Sequence, residues 1–388
     1  LFAQITHSPL GDTLFSVVSR GLSATITDTS SSIVAGTARV FYKKLSQSSW
    51  QVDSLPTVTG TNYSFTISHT ALGGVAVFDT IEYYLAVRSA SGTITTLPLG
   101  GDGLQAANQI PPSSTFRYLI LGNISGTYRV GTSGPADFPS LTVAANFINS
   151  GLVTGPATFL LIDTLYNNAS GENFPITIFG RPGSSATNTI TIRPDTSRSN
   201  VVVQGTFAGS NALITLRGVN HFHINGSNSA ANNRNLTIRS NSTADNSAAI
   251  LVRSSVGEPV RNASISNVHV VGGSSTVTTT FGIVASNGTI STSAAADSLQ
   301  NFTIGNIGVR RAYYAIFLRG AAALTNNNIV VENSQIGSTD TAQFVIFRGI
   351  EITNTRNARV RGNEVFNLVS TTATSQSAVE LSTSPGAI

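Results

Sequence analysis

The sequence predicts an all-β chain: a β-sandwich at the N-terminus, then a right-handed parallel β-helix entered through a single helix. Three observations carry this. A short two-strand unit recurs along the second half of the chain. Alternating strands separated by turn residues fill the first hundred positions. Charge is sparse: charged residues make up 10% of the 388, against roughly 25% in ordinary soluble domains, and Ser, Thr, Asn and Gly take their place.

The repeat is plainest in Phe344-Val-Ile-Phe-Arg348-Gly349 followed by Asn357-Ala-Arg-Val360. The same pair reads Ala315-Ile-Phe-Leu-Arg319-Gly320 then Asn328-Ile-Val-Val331, and Ala249-Ile-Leu-Val-Arg253-Ser254 then Asn262-Ala-Ser-Ile265. In all three the Arg precedes the Asn by nine residues. A partial copy ends in Asn301-Phe-Thr-Ile304, with Ala285 where the Arg is expected. Fragments remain at Ile214-Thr-Leu-Arg217 and Asn235-Leu-Thr-Ile238. Arg319 and Arg348 lie 29 apart, and Arg253 and Arg319 lie 66 apart, or two coils of 33. Such a unit cannot bury its apolar side alone, so copies must stack along an axis. Period-two alternation turns Ala263 and Ile265, Phe302 and Ile304, Ile329 and Val331, and Ala358 and Val360 inward. The Asn opening each strand falls in a bend, where it tolerates unusual backbone angles and can bond the coils above and below.

In chain order, residues 1–4, Leu1-Phe-Ala-Gln4, read as the tail of a secretory signal. Residues 5–108 form the sandwich, with strands expected at Leu22–Thr27, Ala38–Tyr42, Tyr63–Ile67, Ile81–Val87 and Thr93–Leu97. Trp50, the only tryptophan, reads as a packing residue. Residues 109–120 are a Pro-rich linker. Residues 121–388 form the β-helix. Within 138–149 the apolar positions 138, 141, 144, 145 and 148 have helical spacing. Asp137 or Ser140 is the N-cap and Gly151 lies just past the end. One such helix suits a lid over the open end of the core. Strands follow at Thr158–Ile162, Ile176–Phe179, Thr189–Ile192, Val201–Val203 and Phe222–Ile224. Far along, Ala378-Val-Glu-Leu381 reads as one more inner strand with no capping helix after it. The expectation is continuation past Ile388, or cover by another copy head-to-tail in a fibre or stalk. The lack of Met fits a processed product or a fragment.

Ile5-Thr-His-Ser-Pro-Leu-Gly11, Ile81-Glu-Tyr-Tyr-Leu-Ala-Val87, Ile124-Ser-Gly-Thr-Tyr-Arg-Val130 with Asp137-Phe-Pro-Ser-Leu141, and Arg234-Asn-Leu-Thr-Ile-Arg239 resemble stretches of the large, repeat-rich secreted surface proteins of Bacteroidetes bacteria. The resemblance implies an N-terminal immunoglobulin-like β-sandwich, then β-helix repeats, and export to the cell surface, often by the type IX route. It transfers no catalytic residue.

There is no Cys, which excludes disulfides, thiolate nucleophiles and thiolate metal sites. Net charge is +4 with two lysines and no dense basic run, so nucleic acid is not an expected partner. No apolar run reaches the ~18–20 residues of a membrane span. No cofactor is expected. The pattern Asp-[Ser/Thr]-apolar uses six of the eleven aspartates and resembles the O-glycosylation signal of the same bacterial group. It nominates Thr13, Ser54, Thr80, Thr164, Ser298 and Thr341. Arg217, Arg253, Arg319 and Arg348 each close an inner strand. As one column they form a strip for acidic surface polysaccharide, or they bond turn carbonyls with their stems laid on the strand.

β-Helices also serve as scaffolds for polysaccharide lyases and glycosidases, which need paired carboxylates or a Ca²⁺ cluster. Asp195, Asp245, Glu258, Glu332, Glu351, Glu364 and Glu380 form no tight pair in sequence, although Glu332 and Glu364 fall at similar places in neighbouring coils. His221 and His223 flank Phe222, with His269 further on, and read as surface histidines. The expected function is a secreted, noncatalytic structural or adhesive protein of the cell surface. The alternative is a carbohydrate-active β-helix enzyme or glycan-binding module.

Overall fold

The structure is a computed structural model. It describes residues 3–388 except 16, 29–32, 255–256, 275, 278, 294–297, 324–325 and 371–374. The chain divides into two compact units, Leu1–Asn123 and Ile124–Ile388.

In the first unit one antiparallel sheet runs Gln4–Thr6, Ser19–Thr27, Asn62–Ser68, Thr57–Thr59. A second runs through Gln51–Asp53, Arg39–Lys44 and Thr80–Arg88, which also pairs with Ile94–Leu97. Alternation turns Leu22, Ala24 and Ile26 of one sheet toward Val40, Tyr42, Ile81 and Tyr83 of the other, and these share one buried cluster. Trp50 packs edge-on against Tyr84, with ring centroids 5.1 Å apart. The segment 109–120 is not loop throughout. Strand Phe116–Val130 starts inside it, and Phe116–Leu119 pair with Tyr83–Thr80.

The second unit is a right-handed-type parallel β-solenoid of about seven turns. Each turn, or rung, contributes one strand to each of three parallel sheets. Sheet 1 includes Ile190–Pro194, Phe222–Asn225, Val260–Ser266, Leu299–Gly305 and Asn326–Glu332. Sheet 2 is Leu165–Tyr166, Val201–Gly205, Leu236–Ser240, Val268–Val271, Gly308–Arg310, Gln335–Ile336 and Glu364–Val365. Sheet 3 is Ile176–Phe179, Ala212–Arg217, Ser247–Arg253, Thr280–Ala285, Ala312–Arg319, Val345–Thr353 and Ser377–Ser382. One continuous apolar cluster fills the interior. Ile265, Ile304, Val331 and Val360 pair in register as one inward column. The first three are fully buried and Val360 packs at its edge.

Asn262, Asn301, Asn328 and Asn357 all have φ between 50° and 54°, the left-handed region that Asn tolerates better than other side chains. The amides of the first three form a ladder, and Asn357 Nδ2 donates to Asn327 Oδ1 at 2.9 Å. Asn301 Nδ2 donates to Asn262 Oδ1 (2.9 Å) and Asn328 Nδ2 to Asn301 Oδ1 (2.8 Å). A second ladder joins Asn225, Asn267 and Asn306 at 2.8 and 2.7 Å. Each bend thus holds its neighbours in register.

The helix is Leu141–Ser150. Ser140 is its N-cap and accepts from Val143 N–H at 3.2 Å. Glu172 takes the N–H groups of Leu141 and Thr142, both at 2.7 Å, a carboxylate at the positive end of the helix. Leu141, Ala144, Ala145 and Ile148 are buried in the interior cluster.

Candidate functional site

Outward positions on sheet 3 carry the predicted arginines, but the register corrects the column. Arg217 pairs with Arg253. Val252 pairs with Ala285, and Ala285 with Leu318, so the rung between Arg253 and Arg319 has Ser286 at the Arg position, not Ala285. Arg319 pairs with Thr353. Arg348 pairs with Tyr314, five residues earlier in its strand, and does not belong to the column. A register shift between Ala312 and Tyr314 absorbs the one extra residue of strand Val345–Thr353.

The heads of these arginines are mostly engaged. The Arg217 guanidinium lies over the Phe179 ring, 5.5 Å from its centroid. Arg253 Nη1 donates to the Gly288 carbonyl at 3.4 Å, and Arg319 Nη1 to the Thr292 carbonyl. Both carbonyls belong to the loop after Thr280–Ala285, the rung between the two arginines, so the pair clamps that loop from either side. The same loop lays Ile290 over an outward apolar cluster of Ala212, Ala248, Leu251, Phe281, Val284 and Phe317. Beside it is a shallow groove of about 240 Å³, lined by Thr177, Phe179, Thr215, Arg217, Arg253 and Ile290 among others. It offers hydroxyls, one aromatic face and guanidinium groups, which suits hydrogen bonding to a sugar.

Further along sheet 3 the register makes a carboxylate pair that spacing concealed. Glu351 pairs directly with Glu380 on the next rung. Arg348 Nε lies 3.4 Å from Glu351 and 2.9 Å from Glu380, and its guanidinium sits over Phe347 at 3.8 Å. Arg348 Nη1 also donates to the Ser375 carbonyl. Burial, then the Glu380 charge, raise the Glu351 carboxyl above its ordinary range, with Arg348 opposing them. Burial, then Glu351, push Tyr314 up to about 12. The available signal was an outward Glu in an apolar-Glu-apolar triplet in both strands.

The other sequence candidates are dispersed. Glu332 lies on sheet 1 and bonds Arg361 at 2.7–2.8 Å. Glu364 lies on sheet 2 and accepts from Gln335 at 3.2 Å. The two stand on different faces, contrary to their similar places in the repeat. Phe222 is buried, and His223 faces out against Ser264 Oγ at 2.8 Å. His221 heads the Asn column, 3.2 Å from Asn262 Nδ2. Among the described residues no three His, Cys, Asp or Glu could hold a metal ion.

The described aspartates of the Asp-[Ser/Thr]-apolar pattern all accept backbone N–H groups. Asp12 takes Leu119, Asp53 takes Leu55 and Thr66, and Asp79 takes Ala76. Asp163 takes Thr132 and Ser133, and Asp340 takes Ala342. Asp297 lies outside the described residues, as do Leu1 and Phe2. Thr164 and Thr341 are exposed, while Thr13, Ser54, Thr80 and Ser298 are half-buried.

No protein family matches the chain, and no curated protein does. Among solved structures, a family 28 exopolygalacturonase from Yersinia enterocolitica aligns over 99% of this chain and 98% of that chain, at 9% identity and a TM-score of 0.18. An overlap of that quality carries no inference about this chain.

Proposed function

We propose that the chain is a noncatalytic structural or adhesive protein of the extracellular or cell-surface kind, built as a stiff solenoid. One observation carries the reading: the charged side chains of sheet 3 are spent on joining rungs. Arg253 and Arg319 hold the loop of the rung between them. Arg348 lies against both members of the Glu351–Glu380 pair, leaving neither as a free acid or base. The amide ladders add register and stiffness along the axis.

The cluster shared by two antiparallel sheets supports an immunoglobulin-like first unit. The burial of Leu141, Ala144, Ala145 and Ile148 in the interior cluster supports the helix as a lid. Exposure of Thr164 and Thr341 makes them the best placed O-glycan acceptors. The resemblance to secreted Bacteroidetes surface proteins supports export. Other copies of the chain and surface polysaccharide would be its partners.

The competing carbohydrate-active reading has one specific observation in its favour, the Glu351–Glu380 pair beside Tyr314. Incubation with acidic and neutral polysaccharides decides between them. The proposal predicts no new reducing or unsaturated ends. Their release by the parent chain, abolished in Glu351→Gln or Glu380→Gln, would overturn it.

A further inference from the structure

The arginines that carry no clamp lie on a different face. On the outer side of sheet 2, Arg239 pairs with Val271 and Val271 with Arg310. The two arginines are therefore two rungs apart, roughly 10 Å. Val271 between them is fully buried although it lies outside the interior cluster. His269 occupies the neighbouring outward column, between Thr237 and Gly308.

The margins of this face are fixed by two more arginines. Arg311 Nε donates to the Gly272 carbonyl and Nη2 to the Ser240 carbonyl, both at 2.8 Å. Arg234 donates to the Asn306 carbonyl (2.9 Å), Asn306 Oδ1 (3.0 Å) and Gln335 Oε1 (2.7 Å). These bonds tie each head to acceptors one to three rungs away. Arg239 and Arg310 are different: no hydrogen bond or ion pair joins either to a described residue, and the Nε of each is buried without a partner. Among the described residues no carboxylate forms an ion pair with any of the four. The one acid in the sheet 2 strands, Glu364, accepts from Gln335 at the far end of the sheet.

Like charges gathered in this way repel by roughly 1 kcal/mol per close pair in water and more at a protein surface. The cost is visible in Arg311, whose proton affinity is lowered by burial, then by Arg239 and Arg310. It is visible again in His269, lowered by burial, then by Arg234 and Arg310. His269 therefore offers the face a neutral ring. Among Phe, Tyr and Trp the sheet 2 strands hold Tyr166 alone, and it is buried, so the His269 ring is the one outward ring in them on which a nucleobase could stack.

We infer that the outer face of sheet 2 binds an acidic polysaccharide, a glycan bearing carboxylate or sulfate groups, laid along the solenoid axis. Arg239 and Arg310 take alternate acidic groups as charge-assisted pairs. The pinned heads of Arg234 and Arg311 border the path and need little reordering on binding. This rests on the surface-polysaccharide contact proposed above and gives it a site, while the structural role is separable: absence of binding leaves the shaft intact, and catalysis would overturn the shaft without touching this face.

The test is a titration of the full chain with alginate (carboxylate), dextran sulfate (sulfate), neutral dextran and single-stranded DNA, at two ionic strengths. Binding of one or both acidic glycans is expected, weakened by salt, with neutral dextran not bound. Arg239→Gln combined with Arg310→Gln should weaken binding by about tenfold or more per arginine, and Arg261→Gln, at an exposed arginine of sheet 1, should leave it unchanged. Should the double variant fail to fold, hydrogen exchange on the parent answers the same question, with new protection expected at 236–240 and 308–310 on adding glycan. Undiminished binding in the folded double variant, protection confined elsewhere, equal binding of neutral dextran, or preference for the DNA would each overturn the proposal.

Discussion

Replacing Ile304 probes the stacking that holds the solenoid together. Its side chain is fully buried and lies in register between Ile265 and Val331. Ile304→Ala should cost about 2–5 kcal/mol from lost transfer energy and the cavity left behind. A mid-range 3 kcal/mol corresponds to roughly 6–12 °C in melting temperature for a unit of this size. Ile304→Asp should cost more, because a carboxylate would sit unpaired in the core. The control is the neighbouring outward position, Thr303→Ala, expected within about 0.5 kcal/mol of the parent. Far-UV circular dichroism is the right probe, since Trp50, the only tryptophan, reports on the first unit. Hydrogen exchange should show the loss concentrated at Val260–Ser266, Leu299–Gly305 and Asn326–Glu332, because stability in stacked repeats is a sum of rungs and their interfaces. If Ile304→Ala melts with the parent, or Thr303→Ala costs more than it does, the assigned inward face is wrong.

Three further predictions follow from the side chains that join rungs. Asn301→Ala should cost about 2–3 kcal/mol, combining left-handed strain with two exposed amide bonds. Asn301→Gly should cost less because it relieves the strain, and a urea titration showing equal losses would remove the role of φ. Arg253→Ala with Arg319→Ala should speed hydrogen exchange in the loop holding Gly288 and Thr292 at least as much as anywhere else; unchanged exchange there would refute the clamp. Glu351 has a raised folded pKa, so the parent loses stability as pH rises from the unfolded value of about 4.3 through the folded one. Glu351→Gln should lack that loss, and a parent that gains on the variant over the same interval would reverse the sign.

Much of the solenoid was legible because inward columns and bends leave local traces. Ile265 lies between Ser264 and Ser266 and Ile304 follows Thr303, and the Asn opening each strand marks a position that few other residues tolerate. The helix was legible from Ser140 and Gly151, although it starts at Leu141 instead of near 138, because Ser140 holds the cap. What spacing could not supply was register. Phe344–Gly349 imitates Ala315–Gly320 closely, yet Ile350 and Ile352 are what stack on Ile316 and Leu318. Asn235-Leu-Thr-Ile238 imitates the sheet 1 strand but runs in sheet 2.

The sites depended on that register. Glu351 and Glu380 meet only once their strands are aligned. Arg234, Arg239, Arg310 and Arg311 are spread over 78 residues of sequence and come together on one face through three rungs. Whether an arginine head meets a carbonyl or a ligand depends on the path of a loop, which neither alternation nor spacing encodes.

Rung register places every outward side chain, and it is directly measurable because the chain has no cysteine. Paired Cα atoms on adjacent parallel strands are close enough for a disulfide. Arg319→Cys combined with Thr353→Cys should cross-link on mild oxidation, whereas Arg319→Cys combined with Arg348→Cys should stay reduced. Efficient cross-linking of the second pair and none of the first would restore Arg348 to the column and contradict the assignment of these arginines.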